Sequence, residues 1–426
     1  MTRPATEERV VIVGASHGGA ATAVALRQAG WMGEIVLIGD EPVLPYHRPP
    51  LSKAWLKKEA DAQSLIIRTS AFFATAAVEV RLSQPVLAID PAARRLRLAA
   101  GDLEYDRLIL ATGCRARPLT VVGAGLSGVM ALRTAADADL LQAALQPGRR
   151  LVIIGGGYIG LEVAASARSL GCTVVVVERE ERLLARVACP ALSHYFEALH
   201  RSHGVDFRFG TGASQLVGVN GHVRAVCLTD GSELECDVVL VGVGAIPNVE
   251  LAQAAGLTID DGVVVDLDAR TSDPSIYAVG DVTRRPMPFY EDRMWRLESV
   301  PNAIEQARQA ALHICAKPRP SPEVPWFWSD QYETKLQLAG LPFDTTERVV
   351  RGNIDSGSFA VFHIDEQSRI RSVEAVNAPA EFMVGKQLIQ RGEPVETELL
   401  RDANVPMKAL LSAQRREAPR MTSQKG

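Results

Sequence analysis

An apolar segment that runs into a glycine-rich turn, LVIIGGGYIGLEVAA at 151–165, constrains the fold of this chain most strongly. Gly155, Gly157 and Gly160 have the G-x-G-x-x-G spacing. The first glycine allows a tight turn, the second lets backbone approach a pyrophosphate, and the third lets helix pack against strand. The phosphates then lie at the helix N-terminus, where N–H groups favour anions. The stretch predicts a dinucleotide-binding βαβ unit.

The end of this unit indicates which dinucleotide it binds. Glu178 follows a predicted strand, helix and strand at 151–154, 158–170 and 173–177. A carboxylate there accepts a hydrogen bond from the ribose 2′-hydroxyl and repels a 2′-phosphate, which favours NADH over NADPH. Arg179 would accommodate a phosphate if it turned inward, so NADPH stays open.

A second, less regular copy of the pattern stands at the start of the chain. The strand RVVIVG at 9–14 leads into Gly14, with Ser16 where the ideal pattern has glycine, and a helix is expected over 20–29. The next strand, 34–38, ends at Asp40 and Glu41, where a carboxylate binds ribose. Two fingerprints in one chain predict two nucleotide cofactors.

Other predicted strands end in residues of the kind that bind ligands at the carboxyl edge of a parallel sheet. DRLILATG delivers Thr112 and Gly113, VVLVGVGAIPN delivers Gly244, and SIYAVGDV (275–282) delivers Gly280 and Asp281. The segment PYHRPPLSK (45–53) is either a rigid surface turn or a loop that presents Arg48 and Lys53 to a phosphate or flavin cleft.

Composition narrows the class of protein. A chain of 426 residues with 47% hydrophobic and 23% charged residues is long enough for two or three globular domains. A net charge of −4 argues against a nucleic-acid binder. No run reaches the ~18 apolar residues of a membrane span. The N-terminus lacks the pattern of a signal peptide, so the expected location is the cytoplasm.

The six cysteines contain no C-x-x-C pair, which excludes a dithiol redox motif and a zinc ribbon. We expect them to be reduced and mostly buried. No metal site is predicted, because His200 and His203 have no second ligand pair at zinc spacing and are interpreted as surface residues.

The last part of the chain differs in its residue pattern. From 323 an aromatic cluster, PWFWSDQY, is interpreted as a core plug. It precedes predicted strands at 347–352, 357–364 and 368–376 and a helix near 379–391. These elements predict a small α+β domain, and the polar tail 412–426 is expected to be disordered.

Taken in order, VIVGASHGG, GDEPVLPYHRPPLSK, ATG, GGGYIGLE, YAVGD, RLESVPNAIEQA and VPWFWSDQY make the chain resemble the bacterial FAD-dependent NADH:ferredoxin reductases that serve oxygenases. The resemblance covers residue 8 to about 400. It implies an α/β fold with two Rossmann-like, glutathione-reductase-like domains and a C-terminal α+β domain. The implied FAD-binding domain has two segments (1–115 and 246–322), which flank an NAD-binding domain (116–245) and precede the C-terminal domain (323–411).

The resemblance also implies contacts. FAD contacts fall on Gly18, Asp40, Lys53, Val86, Arg133, Asp281 and Val300, and NAD contacts fall on the glycines of GGGYIG, on Glu178 and around Gly244. It further implies a Lys53–Glu162 ion pair beside flavin N5, Tyr158 flanking the nicotinamide and Trp328 near the flavin, facing the partner.

The implied reaction passes electrons from NADH through FAD, one at a time, to a [2Fe–2S] ferredoxin that supplies a haem-thiolate monooxygenase or a Rieske dioxygenase. Because ferredoxins are usually acidic, Arg285, Arg293 and Arg296 are candidate partner contacts, with a solvated face as the alternative. A disulfide reductase is disfavoured by the cysteines. An NADH oxidase or monodehydroascorbate-type reductase, and a non-catalytic NADH-sensing FAD protein, stay open.

Overall fold

The computed structural model describes residues 8–413, which divide into two compact units. Of these residues, the first unit comprises 8–287 together with Asp292–Ser321. The second comprises Pro288–Glu291 and 322–413.

The first unit begins with a parallel sheet and an antiparallel β-meander. Its opening elements are β1 (Arg9–Val13), α1 (His17–Gln28), β2 (Glu34–Ile38), a 3₁₀ turn (Pro49–Ser52), α2 (Ala62–Leu65), α3 (Ser70–Thr75), β3 (Val78–Arg81), β4 (Val86–Asp90), β5 (Arg95–Leu98), β6 (Gly101–Glu104), β7 (Arg107–Leu110) and β8 (Cys114–Ala116).

A second βαβ region follows. Its elements are β9 (Val129–Met130), α4 (Ala135–Ala144), β10 (Arg150–Ile154), α5 (Tyr158–Ser169), β11 (Thr173–Val177), α6 (Pro190–Ser202), β12 (Val205–Arg208), β13 (Ala213–Val219), β14 (His222–Leu228), β15 (Glu233–Glu235), β16 (Val238–Val241) and β17 (Ala245–Pro247). The chain then returns through α7 (Glu250–Ala254), β18 (Val263–Val264), β19 (Ile276–Ala278), β20 (Thr283–Met287), β21 (Arg293–Arg296) and α8 (Val300–Ile314).

Two five-stranded parallel sheets organise this unit. One has the order β19-β7-β1-β2-β3 and the other the order β12-β11-β10-β16-β9. The central strands β1 and β10 are apolar after their first residue, an arginine, because both faces of such a sheet are covered. Val10, Val11 and Ile12 of β1 are fully buried. The predicted pair of Rossmann-like sheets is confirmed, although α1 begins three residues earlier than expected, at His17.

The second unit is an antiparallel sheet with helices. It contains β22 (Trp326–Gln331), β23 (Thr334–Gly340), β24 (Thr345–Asn353), β25 (Ser358–Asp365), β26 (Ile370–Val376), α9 (Pro379–Arg391), α10 (Thr397–Arg401) and α11 (Met407–Ala413). The strand order is β22-β23-β26-β25-β24, and Phe382 and Leu388 of α9 pack in the core with Phe362. The aromatic cluster interpreted as a core plug is the edge strand β22.

The structure can be compared with the expectations for the tail, the cysteines and His200. The predicted tail begins at 412, yet residues 412 and 413 end α11, and the rest of the tail lies outside the described residues. The cysteines form no disulfide and four of the six are buried, as expected. His200 was wrongly interpreted as surface, since it is fully buried with its ring edge-on to Phe207. Among the described helices, none is long and apolar enough to cross a membrane.

Candidate functional site

The carboxyl ends of the first parallel sheet bring most of the predicted FAD residues to one edge. β1 ends before Gly14, β2 before Asp40 and Glu41, β7 before Thr112 and Gly113, and β19 before Gly280 and Asp281. Side chains that sequence reasoning missed hold this edge. Asn248 donates to the Thr112 carbonyl at 2.8 Å, and the Gln306 side chain accepts from the Gly280 N–H at 2.8 Å. Both lie in segments that the sequence analysis quotes, VVLVGVGAIPN and RLESVPNAIEQA, but their side-chain partners are distant in the sequence and no local spacing indicates them.

The two glycine turns have the same construction. Gly14 and Gly155 adopt φ of 113° and 111°, values that L side chains rarely reach. A Cβ on Gly160 would lie 2.3 Å from the Gly155 carbonyl oxygen, and one on Gly19 would lie 2.0 Å from the Gly14 oxygen. Gly19 is therefore the close-packing glycine of the first fingerprint. Its spacing from Gly14, equal to that of Gly160 from Gly155, was the signal that would have found it.

Both turns leave the N-terminus of a helix open to an anion. Ser16 caps α1 without a side-chain hydrogen bond to the helix, and Gly157, which has no side chain, caps α5. A Cβ on Gly157 would meet no atom within 4 Å, so there is space beside the turn. Backbone N–H groups and the helix dipole at such a place favour negative charge. The residues fit one pyrophosphate at each turn, as FAD and NADH require.

Arg48 ties the first turn to the residues around it. Its guanidinium donates to the Ser16 hydroxyl at 3.0 Å, the Glu41 carboxylate at 2.7 Å and the Arg133 carbonyl at 2.6 Å. Arg133 in turn pairs with Asp281 at 3.0 Å. The structure thus brings Ser16, Glu41, Arg48, Arg133 and Asp281 into one connected cluster. PYHRPPLSK had two interpretations, and a rigid surface turn alone does not account for the place of Arg48 in this cluster.

Cys114 lies next to this cluster, and its thiol is unreactive. Its thiol donates to the Asp281 carbonyl at 3.3 Å. Burial, with the Asp281 and Glu298 carboxylates nearby, raises the pKa of the Cys114 thiol to about 12. A thiol that stays protonated at neutral pH is a poor nucleophile.

The edge of the second sheet holds the predicted NAD residues. Glu178 follows β11, and its carboxylate accepts from the N–H groups of Gly156 at 2.7 Å and Glu180 at 2.9 Å. Arg179 is 84% exposed and lies 3.8 Å from Glu180. Gly244, with φ of 104°, follows β16. An acidic group therefore faces the glycine turn, and the neighbouring arginine points to solvent.

The turn that carries Lys53 lies against α5. Lys53 Nζ is 2.7 Å from Glu162 Oε2, and this carboxylate is 3% exposed. The expected ion pair is therefore present. Tyr158 begins the helix, one turn before Glu162, and its hydroxyl donates to the Val187 carbonyl at 3.3 Å. The pair links the lysine of the first nucleotide region to the helix that starts at the second glycine turn.

For three other predicted residues, the structure shows which element carries each. Val86 opens β4 in the antiparallel meander, and Val300 is the first residue of α8. Trp328 lies on β22 of the second unit, with its ring 5.5 Å from that of Trp326. Their places near FAD, and that of Gly18, stay predictions.

The structure corrects the suggested partner contacts. Arg285 is 2% exposed and pairs with Glu305 at 2.9 Å, so it is neither a solvated residue nor a partner contact. Arg296 bonds to Glu298 and lies 3.5 Å from Asp261. Arg293 is exposed. The guanidinium of Arg285 bonds to Asn302 and Glu305 of α8, so this charged residue of β20 is enclosed.

Comparison with known proteins gives two family matches and close relatives. The model described as "Pyridine nucleotide-disulphide oxidoreductase" matches residues 8–307, and "Reductase C-terminal" matches 326–411. The probable ferredoxin reductase CtmF of Castellaniella defragrans is 48% identical over 95% of this chain and 98% of its own. The putidaredoxin reductase CamA of Pseudomonas putida is 43% identical over 96% and 98%. A covalent putidaredoxin reductase–putidaredoxin complex superposes with a TM-score of 0.93 at 44% identity, covering 96% of this chain and 99% of that one.

Proposed function

The chain belongs to the pyridine nucleotide-disulphide oxidoreductase family, and on that premise we propose that it carries electrons from NADH through FAD to a [2Fe–2S] ferredoxin that supplies an oxygenase. One observation carries the proposal most. A glycine turn leads into a helix with an open N-terminus at each parallel sheet, and Lys53, next to the Pro49–Ser52 turn, pairs with the buried Glu162 of α5, the helix at the second glycine turn. Relatives named as ferredoxin reductases and the reductase–putidaredoxin complex support the partner.

The two nucleotides divide between the two sheets. We assign FAD to the Gly14 turn with the Arg48 and Arg133 cluster, within 1–115 and 246–322, and NADH to the Gly155 turn within 116–245. Glu178 supports NADH over NADPH because its carboxylate would oppose a 2′-phosphate. Residues 323–411 then form the C-terminal domain of the reductase.

The chain's own residues bind and orient rather than react. Bound FAD supplies a ring that takes a hydride from NADH and passes electrons on singly. The helix N-termini would hold the two pyrophosphates and so help to orient the reacting rings. Tyr158 lies at the start of α5 beside the expected nicotinamide, and Lys53 with Glu162 places charge next to the flavin. No side-chain nucleophile is needed, and the protonated Cys114 thiol speaks against dithiol chemistry.

The test is a sequence of two anaerobic measurements. Bound FAD should be bleached by NADH faster than by NADPH in stopped flow. Cytochrome c reduction should then require an added [2Fe–2S] ferredoxin. Turnover with small acceptors alone would indicate an NADH oxidase or monodehydroascorbate-type reductase, and binding without bleaching would indicate an NADH sensor.

The six cysteines without a disulfide support the cytoplasm as location.

A further inference from the structure

Ser52, the last residue of the Pro49–Ser52 turn, is enclosed between that turn and α5. It is 2% exposed, and its neighbours Glu162 and Ser166 are 3% and 4% exposed. Its hydroxyl donates to Glu162 Oε2 at 2.5 Å, and its carbonyl accepts from the Ser166 hydroxyl at 2.7 Å. Because Glu162 and Ser166 are four residues apart, they project from one face of the helix. One helical face thus holds Ser52 by two bonds.

The two hydrogen bonds restrain different groups, the backbone of the turn and the carboxylate of Glu162. The Ser166 bond ends on a backbone carbonyl and fastens the turn to the helix. The Ser52 hydroxyl donates to Glu162 Oε2, the same oxygen that lies 2.7 Å from Lys53 Nζ. A carboxylate in a buried ion pair needs further hydrogen bonds to stay in one orientation. Lys53 has a competing acceptor, the Pro49 carbonyl, 3.2 Å from its ammonium group.

We propose that Ser52 is a positioning residue for hydride transfer, whose hydroxyl fixes the Glu162 carboxylate so that it holds the Lys53 ammonium at the flavin. This inference rests on the proposed function. Without the hydroxyl, the Glu162 carboxylate loses this hydrogen bond, and Lys53 can turn to the Pro49 carbonyl.

Three variants of the FAD-loaded protein separate positioning from simple tethering. Ser52→Ala removes both the hydroxyl and its bond to Glu162, Ser52→Thr keeps a hydroxyl, and Ser166→Ala removes only the bond to the carbonyl. Each is reduced anaerobically with NADH in stopped flow, which gives a limiting rate and a Kd for NADH. The visible spectrum of the bound flavin and the Tm are recorded beside them.

We expect Ser52→Ala to lower the limiting rate about tenfold, the loss of one charge-assisted hydrogen bond, with the Kd unchanged and the flavin spectrum shifted. Ser52→Thr should restore the rate and the spectrum. Ser166→Ala should lower the Tm and leave the rate and the spectrum as they are. If Ser52→Ala does not fold, Ser52→Cys, with similar size and a weak donor, takes its place.

Equal limiting rates and spectra for wild type and Ser52→Ala would overturn the inference. So would matching losses in Ser52→Ala and Ser166→Ala, because the serine would then only tether the turn. Failure of the proposed function looks different, since wild-type flavin would not be reduced by NADH or would not pass electrons to ferredoxin.

Discussion

The guanidinium of Arg48 donates a hydrogen bond to the hydroxyl of Ser16, with Nε and Oγ 3.0 Å apart. The serine stands where the dinucleotide fingerprint has glycine. Its hydroxyl therefore binds a basic residue to the turn that is proposed to hold the FAD pyrophosphate. A departure from the sequence pattern is here part of the site.

Replacing Arg48 tests this arrangement. Arg48→Ala loses three hydrogen bonds, to Ser16, Glu41 and the Arg133 carbonyl. Since each is worth roughly 1 kcal/mol or more, we expect the Kd for FAD to rise at least about tenfold, as measured by flavin fluorescence on reconstitution of the apoprotein. Arg68→Ala is the control, because that side chain lies over the exposed Phe72 ring at 5.2 Å. Similar FAD affinities for the two variants would show that the Arg48 cluster does not serve the cofactor.

The buried ion pair provides the second prediction. Glu162→Gln keeps the shape of the side chain and removes the charge opposite Lys53, which lies 2.7 Å away. We expect the limiting rate of FAD reduction by NADH to fall about a hundredfold, the usual effect of removing one positioned electrostatic group from an active site. The matched control is Glu59→Gln, since Glu59 pairs with Lys57 at the same distance on the surface. An unchanged rate in Glu162→Gln would mean that the pair is structural.

Much of the fold could be predicted from the sequence because its signals are local. The strand Glu34–Ile38 and the helix Pro379–Arg391 have the expected bounds, since apolar runs and a terminal proline or glycine mark them. The edge strand Trp326–Gln331 was not recognised, because half-buried aromatics on an edge strand do not alternate with polar residues. The position of this strand depends on its pairing with β23, and the sequence of one segment does not show such pairing.

The site could be predicted only in part, for a related reason. Motif residues such as Gly155 and Glu178 can be identified as candidates because they stand at a fixed local spacing. Ser52 and Gln306 act through partners more than 20 residues away in the sequence, Glu162 and Gly280. The interpretation of Arg285 was wrong because its burial depends on contacts with Asn302 and Glu305 of α8. Tertiary contacts decide such roles.

The second unit offers a stability test that is separate from catalysis. Arg351 of β24 is buried and donates to the carbonyls of Leu400, Asp402, Ala403 and Val405. Arg351→Ala would remove these donors and leave the segment after α10 unfastened, at a cost of about 3 kcal/mol or more. We expect a lower urea midpoint and early proteolysis near residue 402. Arg348→Ala, at an exposed position on the same strand, should match wild type in both measurements, and an equally resistant Arg351→Ala would refute this assignment.

His17, the first residue of α1, should make the stability of the apoprotein depend on pH. Burial, and after it the charges of His47, Arg48 and Arg133, lowers the pKa of His17 from 6.5 to about 3. Its Nε2 is enclosed and makes no hydrogen bond within the described residues. The unfolded chain takes up a proton below pH 6.5, whereas the folded chain does so only near pH 3. The folded state is therefore favoured above pH 6.5 and loses stability as the pH falls.

The size of this effect is set by one proton. Between pH 6.5 and 3 the free energy of unfolding should decrease by up to about 1.4 kcal/mol per pH unit through this histidine. His17→Gln, neutral at every pH, should flatten the decline in urea unfolding measured at pH 7, 5.5 and 4.5. His222→Gln, at the exposed first position of β14, serves as the control and should decline as wild type does. Equal slopes for His17→Gln and wild type would mean that this histidine takes up its proton in the folded chain as readily as in the unfolded one.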